Sequence, residues 1–108
     1  MTGGEAALIW SPFPDEAAAR ASVAALLDER LIACGNLVPG IHSLFVWRSA
    51  PGESDECGAL LKTTAALRER AMRRLAELHP YETPAITGWT VHADAGTAAW
   101  LSSETSAQ

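Results

Sequence analysis

A chain of 108 residues, 48% of them hydrophobic, has the length of one domain with a core of its own. Its formal net charge of −5 excludes the basic surface that a general nucleic-acid binder presents. No apolar run reaches the ~20 residues of a membrane-spanning helix, and Met1–Glu5 has neither a basic region nor a signal core, so the expected address is cytoplasmic, with no membrane or nucleic-acid partner.

The expected single domain covers residues 1–108, with fraying at 1–4 and 103–108. Ala6-Ala7-Leu8-Ile9-Trp10 is an apolar run that reads as a buried strand, stopped by Ser11-Pro12-Phe13-Pro14. Asp15 suits a helix N-cap, and Glu16 favours the positive end of the dipole. The helix is expected to run to about Leu31, with Ala19, Val23, Leu26 and Leu27 forming its apolar face.

From Ala33 to Thr64 the sequence reads as two long strands, Ala33–Arg48 and Asp55–Thr64, turning at Ala50-Pro51-Gly52. The run from Ile41 to Arg48 alone spans roughly 26 Å at ~3.3 Å per residue, and an open edge that long needs cover. Pro39-Gly40 predicts a bend or bulge near Val38–Ile41, since Pro cannot donate a ladder hydrogen bond. With this turn Cys57 faces about Phe45 or Val46, far from Cys34, so both thiols are expected to be reduced.

Thr64 is an expected N-cap for a second helix over Ala65–Leu78, whose apolar face is Leu67, Ala71, Leu75 and Leu78 with Met72 on the flank. Arg68, Arg70, Arg73 and Arg74 read as its solvated face. Pro80 ends the helix, and His79–Pro84 forms a stiff connector. Ala85–Val91 reads as a strand weakened by Gly88, and Gly96–Ser102 as a short helix carrying Trp100. The order strand, helix, strand, strand, helix, strand predicts an α+β, ferredoxin-like fold: an antiparallel sheet with two helices on one face and a long central hairpin. The opposite face is expected to be bare, and self-association with cyclic symmetry would cover it.

His79 is the best single metal ligand, because imidazole suits copper and zinc, and Glu82 is its nearest candidate partner. The competing reading has His79 capping the helix C-terminus. Glu53, Asp55 and Glu56 form an acidic group near the hairpin tip that reads as a solvated loop. His42 and His92 read as isolated surface residues. Glu56 and Lys62, six apart on one strand, share a face, and Tyr81 can join them in a pocket for an anionic ligand or as a structural ion pair. Asn36 is a turn residue or a pocket donor; Phe45, Trp47 and Trp100 read as interface or core aromatics. No nucleophile–base motif, nucleotide loop or complete metal triad stands out, so no enzyme is expected and no cofactor is required.

Several stretches together resemble the CutA divalent-cation tolerance family: Ala33-Cys34-Gly35-Asn36, Pro39, Ser43-Leu44-Phe45, Trp47, Glu56, Lys62-Thr63, His79-Pro80-Tyr81-Glu82 and Trp100. The resemblance runs from about Leu8 to Leu101. It implies a cytoplasmic homotrimer whose hairpins reach across to neighbouring subunits, linked to tolerance of copper and other divalent metals. It also implies kinship in architecture with the P-II signalling trimers. The alternative function is therefore a P-II-like module holding a small ligand at subunit interfaces, lined by Asn36, Trp47, Glu56, Lys62 and Tyr81. Ser11 and Leu78 stand where some family members carry a Cys and a second His.

Overall fold

The computed structural model describes residues 3–105. The elements are β1 (Gly4–Phe13), α1 (Glu16–Asp28), β2 (Cys34–Trp47), β3 (Ala50–Thr64), a 3-10 turn (Ala65–Leu67), α2 (Arg68–Leu78), β4 (Thr87–Ala93) and α3 (Ala95–Glu104). The four strands form one antiparallel sheet in the order β2-β3-β1-β4. Of the residues expected to fray, Gly4 lies in β1 and Ser103 and Glu104 in α3, while 1–2 and 106–108 fall outside the described residues.

Alternation along β1 sends Ile9 and Phe13 to one face of the sheet, and Ala6 to the other. On the first face they join Leu61 and Ala59 of β3, Ala19, Val23 and Leu26 of α1, and Ala71 and Leu75 of α2 in the main core. Leu27, expected on the buried stripe of α1, is 41% exposed, and Ser22 is buried instead. On the second face Ala6 meets Ala93 and Leu101, so α3 covers part of the face expected to be bare.

The Asp15 side chain accepts from Ala18 N at 2.8 Å, capping α1 as expected. The helix ends earlier than Leu31, in a Schellman motif: Leu31 N donates to Leu26 O and Arg30 N to Leu27 O, both at 3.0 Å, with Arg30 at φ 60°. Thr64 makes no side-chain cap; the chain enters α2 through the 3-10 turn instead. β1 does not stop before Pro12, which pairs with Gly58 of β3. The β4 ladder ends at Trp10, and the Pro12 carbonyl turns away from β3 to accept from His79. Pro therefore stands where its missing N–H breaks no ladder bond.

β2 and β3 outrun the sheet. The last β1–β3 pair is Phe13 with Cys57, yet β2 and β3 stay paired out to Trp47 and Ala50. The molecule is accordingly 49 × 23 × 22 Å. The predicted bulge is present: Pro39 and Gly40 lie between the pairs Val38–Gly58 and Ile41–Glu56, with Gly40 at φ 78°. Cys57 thus faces the bulge rather than Phe45 or Val46, and it and Cys34 are free thiols.

The turn is not at Ala50-Pro51-Gly52. It is a two-residue turn at Arg48 and Ser49, with φ 51° and 66°, the positive values a type I′ hairpin demands. Trp47 and Ala50 close it, so Val46 and Pro51 fall at the next, non-hydrogen-bonded pair, where Pro lacks nothing. Gly52 makes room for a ring instead of turning the chain: a Cβ there would meet Phe45 Cε2 at 2.7 Å. Neither turn residue is glycine, so the left-handed conformation is strained. Ser49→Gly is expected to raise unfolding stability by about 1 kcal/mol, measured by urea denaturation at constant m-value.

Candidate functional site

The side chains with the most specific geometry meet where β1 ends and the connector after α2 passes the bulged hairpin. His79 follows the last turn of α2, with its backbone N–H still bonded to Leu75 O at 2.9 Å. Its ring is buried and stacks on Phe13 at 4.1 Å between centroids, 15° from parallel. Nε2 lies 2.9 Å from the Pro12 carbonyl, and Nδ1 accepts from Tyr81 N at 3.2 Å. These partners assign a neutral imidazole with its proton on Nε2. Burial holds the His79 pKa below 6.5, against the upward pull of the Pro12 carbonyl and the Glu56 charge.

Tyr81 carries the network outward. Its ring lies 4.9 Å from that of His79, and its hydroxyl donates to Glu56 at 2.7 Å. Burial, then the Glu56 bond, pushes the phenol up to about 12, so it remains a donor at neutral pH. One run of contacts therefore ties the end of β1, the connector and β3 together at the bulge.

The expected meeting of Glu56 and Tyr81 is present, while the rest of the predicted site is dispersed. Glu82 is exposed and pairs with Arg48 at 3.5 Å, so it and His79 engage different partners. Lys62 lies on the side of the sheet that α3 packs against, in a cleft with Leu8 and Trp100. Asn36 is exposed and accepts from Cys34 Sγ at 3.7 Å. Trp47 sits at the hairpin tip, 44% exposed, under the Arg48 guanidinium at 5.3 Å. His92 is exposed on β4.

His42 is not isolated. It pairs across the ribbon with Asp55, Nδ1 to Oδ1 at 2.8 Å, and its Nε2 lies 3.4 Å from Glu53. The Asp55 bond, then that of Glu53, raises its pKa above 6.5. The two carboxylates take opposite ring nitrogens, which makes a strap and not a chelate. Among the described residues no group of three or more His, Cys, Asp or Glu converges to hold a metal ion. The signal for the strap was available in the sequence once the turn was placed at Arg48–Ser49, since that register sets His42 opposite Asp55.

The two imidazoles titrate on opposite sides of the ordinary value. In an NMR titration His79 is expected below 6.5, as the Nε2–H tautomer, and His42 above it. His79 contributes stability that is complete above its unfolded value and lost as pH falls through its lower folded value. His42 contributes stability that is complete below its unfolded value and lost as pH rises through its higher one; it is solvent-exposed, so salt is expected to weaken that part. Tyr81→Phe removes the bond to Glu56 and is expected to cost about 1.5 kcal/mol in denaturant unfolding.

Comparison with known proteins agrees with this arrangement of elements. Residues 7–104 match the family described as CutA1 divalent ion tolerance protein. The divalent-cation tolerance protein CutA of Pyrococcus horikoshii is 46% identical over 80 residues, covering 73% of this chain and 76% of that protein. Its counterpart from Citrobacter koseri is 36% identical over 98 residues, covering 90% and 85%. The crystal structure of CutA1 from Pyrococcus horikoshii superposes with a TM-score of 0.87 at 38% identity, covering 93% of this chain and 98% of that one. That of CutA from Xylella fastidiosa gives 0.88 at 31%, covering 94% and 98%. The chain, with its bulged hairpin held to the end of β1 through His79 and Tyr81, belongs to the CutA1 divalent ion tolerance family.

Proposed function

We propose that the chain is a non-catalytic divalent-cation tolerance protein that binds copper or zinc as a homotrimer of ferredoxin-like subunits. The family match over residues 7–104 carries this reading. The trimer is supported by the ribbon: Leu44 and Val46 are 71% and 73% exposed, and Phe45 and Trp47 flank them on a two-stranded arm. Such an arm is marginal in water by itself, and a closed ring of identical chains gives each one a partner.

Metal enters as cargo, and its donors come from more than one copy. His42, Glu53 and Asp55 stand exposed on the ribbon, where a neighbouring chain can complete their coordination. His79, with Glu82, joins such a site by giving up its bond with Tyr81 N or with Pro12 O.

Light scattering is expected to return three times the 11.4 kDa chain mass; a monomer stable on dilution overturns the trimer. Equilibrium dialysis against Cu²⁺ and Zn²⁺ is expected to show binding tighter than about 1 mM, weakened by His42→Ala. Loss of binding in His79→Ala instead would place the site at the connector. Absence of binding at that level in the unmodified protein overturns the metal reading.

A further inference from the structure

Alternation along the strands places Leu8 and Trp10 of β1, Trp89 and Val91 of β4 and Leu60 of β3 on the face that α3 packs against. β3 carries this face onward past the end of β1. A Cβ on Gly58 would meet the Trp10 ring and Ile41, so Gly58 points to the same face, and Glu56 follows two residues on. Phe45 and Trp47 of β2 continue it to the tip. Among the described strand residues on this face, Lys62 is the one cation and Glu56 the one carboxylate. Both are half-buried. Six residues of strand, roughly 20 Å, separate them, so they cannot meet within one chain. Lys62 has no carboxylate within salt-bridge distance among the described residues. Glu56 gives Oε2 to the Tyr81 hydroxyl, and its Oε1 can take a second donor.

We infer that Lys62 of one copy pairs with Glu56 of the next, one ion pair at each seam; the inference rests on the trimer proposed above. Trp89, Phe45 and Trp47 are exposed in one chain, and an association that covers them takes water from the ammonium and the carboxylate as well. A charge buried there without a partner opposes association, whereas one charge of each sign on the same face lets identical copies supply each other. In a closed ring every copy presents Lys62 to one neighbour and Glu56 to the other, so no charge is left over. Glu56 also stands at the root of the arm, where β3 leaves its own β1 and is open to a neighbour. The convergence of Glu56, Lys62 and Tyr81 expected from the sequence then takes place between copies: Tyr81 orients the carboxylate that the neighbour's Lys62 meets.

A charge-reversal cycle on the full-length protein tests this, read as the chain concentration at which half the assembly has dissociated in light scattering. Lys62→Glu and Glu56→Lys are each expected to raise that concentration about tenfold or more, and the doubly reversed protein to return to within about threefold of the unmodified one. Lys62→Met and Glu56→Gln form a second cycle that stays close to the original side-chain size, for use where a reversal does not fold. Each alone is expected to weaken assembly, and the two together to weaken it no further, because no charge is then left without a partner. Effects that merely add, in whichever cycle folds, overturn the pairing while the trimer stands. Variants that assemble as tightly as the unmodified protein do the same. A monomeric unmodified protein overturns trimer and pairing together.

Discussion

The sheet has strands of unequal reach, and most of the structure answers to that. β1 gives out at Phe13, opposite Cys57, and β3 has no third strand from there to its turn. Within the sheet, β3 is flanked by β2 and β1 and covered by helices. Beyond it, two strands have only each other, so alternation no longer sorts an inside from an outside. Leu44, Phe45, Val46 and Trp47 follow one another without a polar break because neither side of the ribbon is buried within the chain.

The body of the protein meets this ribbon at the bulge. There Pro39 and Gly40 interrupt the ladder, and a bulge bends the strand that carries it. Glu56, next to the bulge, is the residue Tyr81 holds, and Tyr81 in turn is bonded through its backbone to the buried ring of His79. The neutral imidazole is what makes this work. It must donate to Pro12 O with one nitrogen and accept from Tyr81 N with the other, and a charged ring, a donor at both, cannot do so. Both nitrogens are thereby engaged within the chain. His79 is thus explained within one chain as a joint between the end of β1 and the connector.

Much of the fold could be read from local chemistry. Asp15 as a cap, the bulge at Pro39-Gly40, the stop at Pro80 and the helix bearing Trp100 each follow from a residue whose backbone preference leaves little choice. What escaped was set by partners distant in sequence. Pro51-Gly52 carries the stronger turn signal, yet the register that seats Phe45 over Gly52 moves the turn to Arg48 and Ser49. Leu27 fits the apolar stripe of α1 by spacing, but the surface it faces is left uncovered in one chain. Pro12 reads as a strand breaker until its carbonyl is seen turned to His79. The site suffered for the same reason. Glu56 and Lys62 share a strand face by parity, as expected, but their neighbours differ: one meets the connector and the other the cleft beneath α3.

The distribution of charge and apolar surface then argues for where function sits. The main core is closed: Ile9, Phe13, Leu26, Leu61 and Leu75 have no measurable exposure. Buried polar groups there are few, and Thr63 is satisfied by Leu31 O at 2.7 Å. The chemically open features are all on the other side or at the extremity: the acidic strap around His42, the exposed aromatics of the ribbon, and the cleft holding Lys62. A metal ion needs several donors converging from different directions, and a flat two-stranded arm presents its donors from one direction only. The ribbon can therefore complete a coordination sphere only against another surface. Cation binding is therefore expected to fall on dilution together with the oligomer. Binding isotherms for a divalent cation, recorded across the dissociation of the assembly, test that dependence.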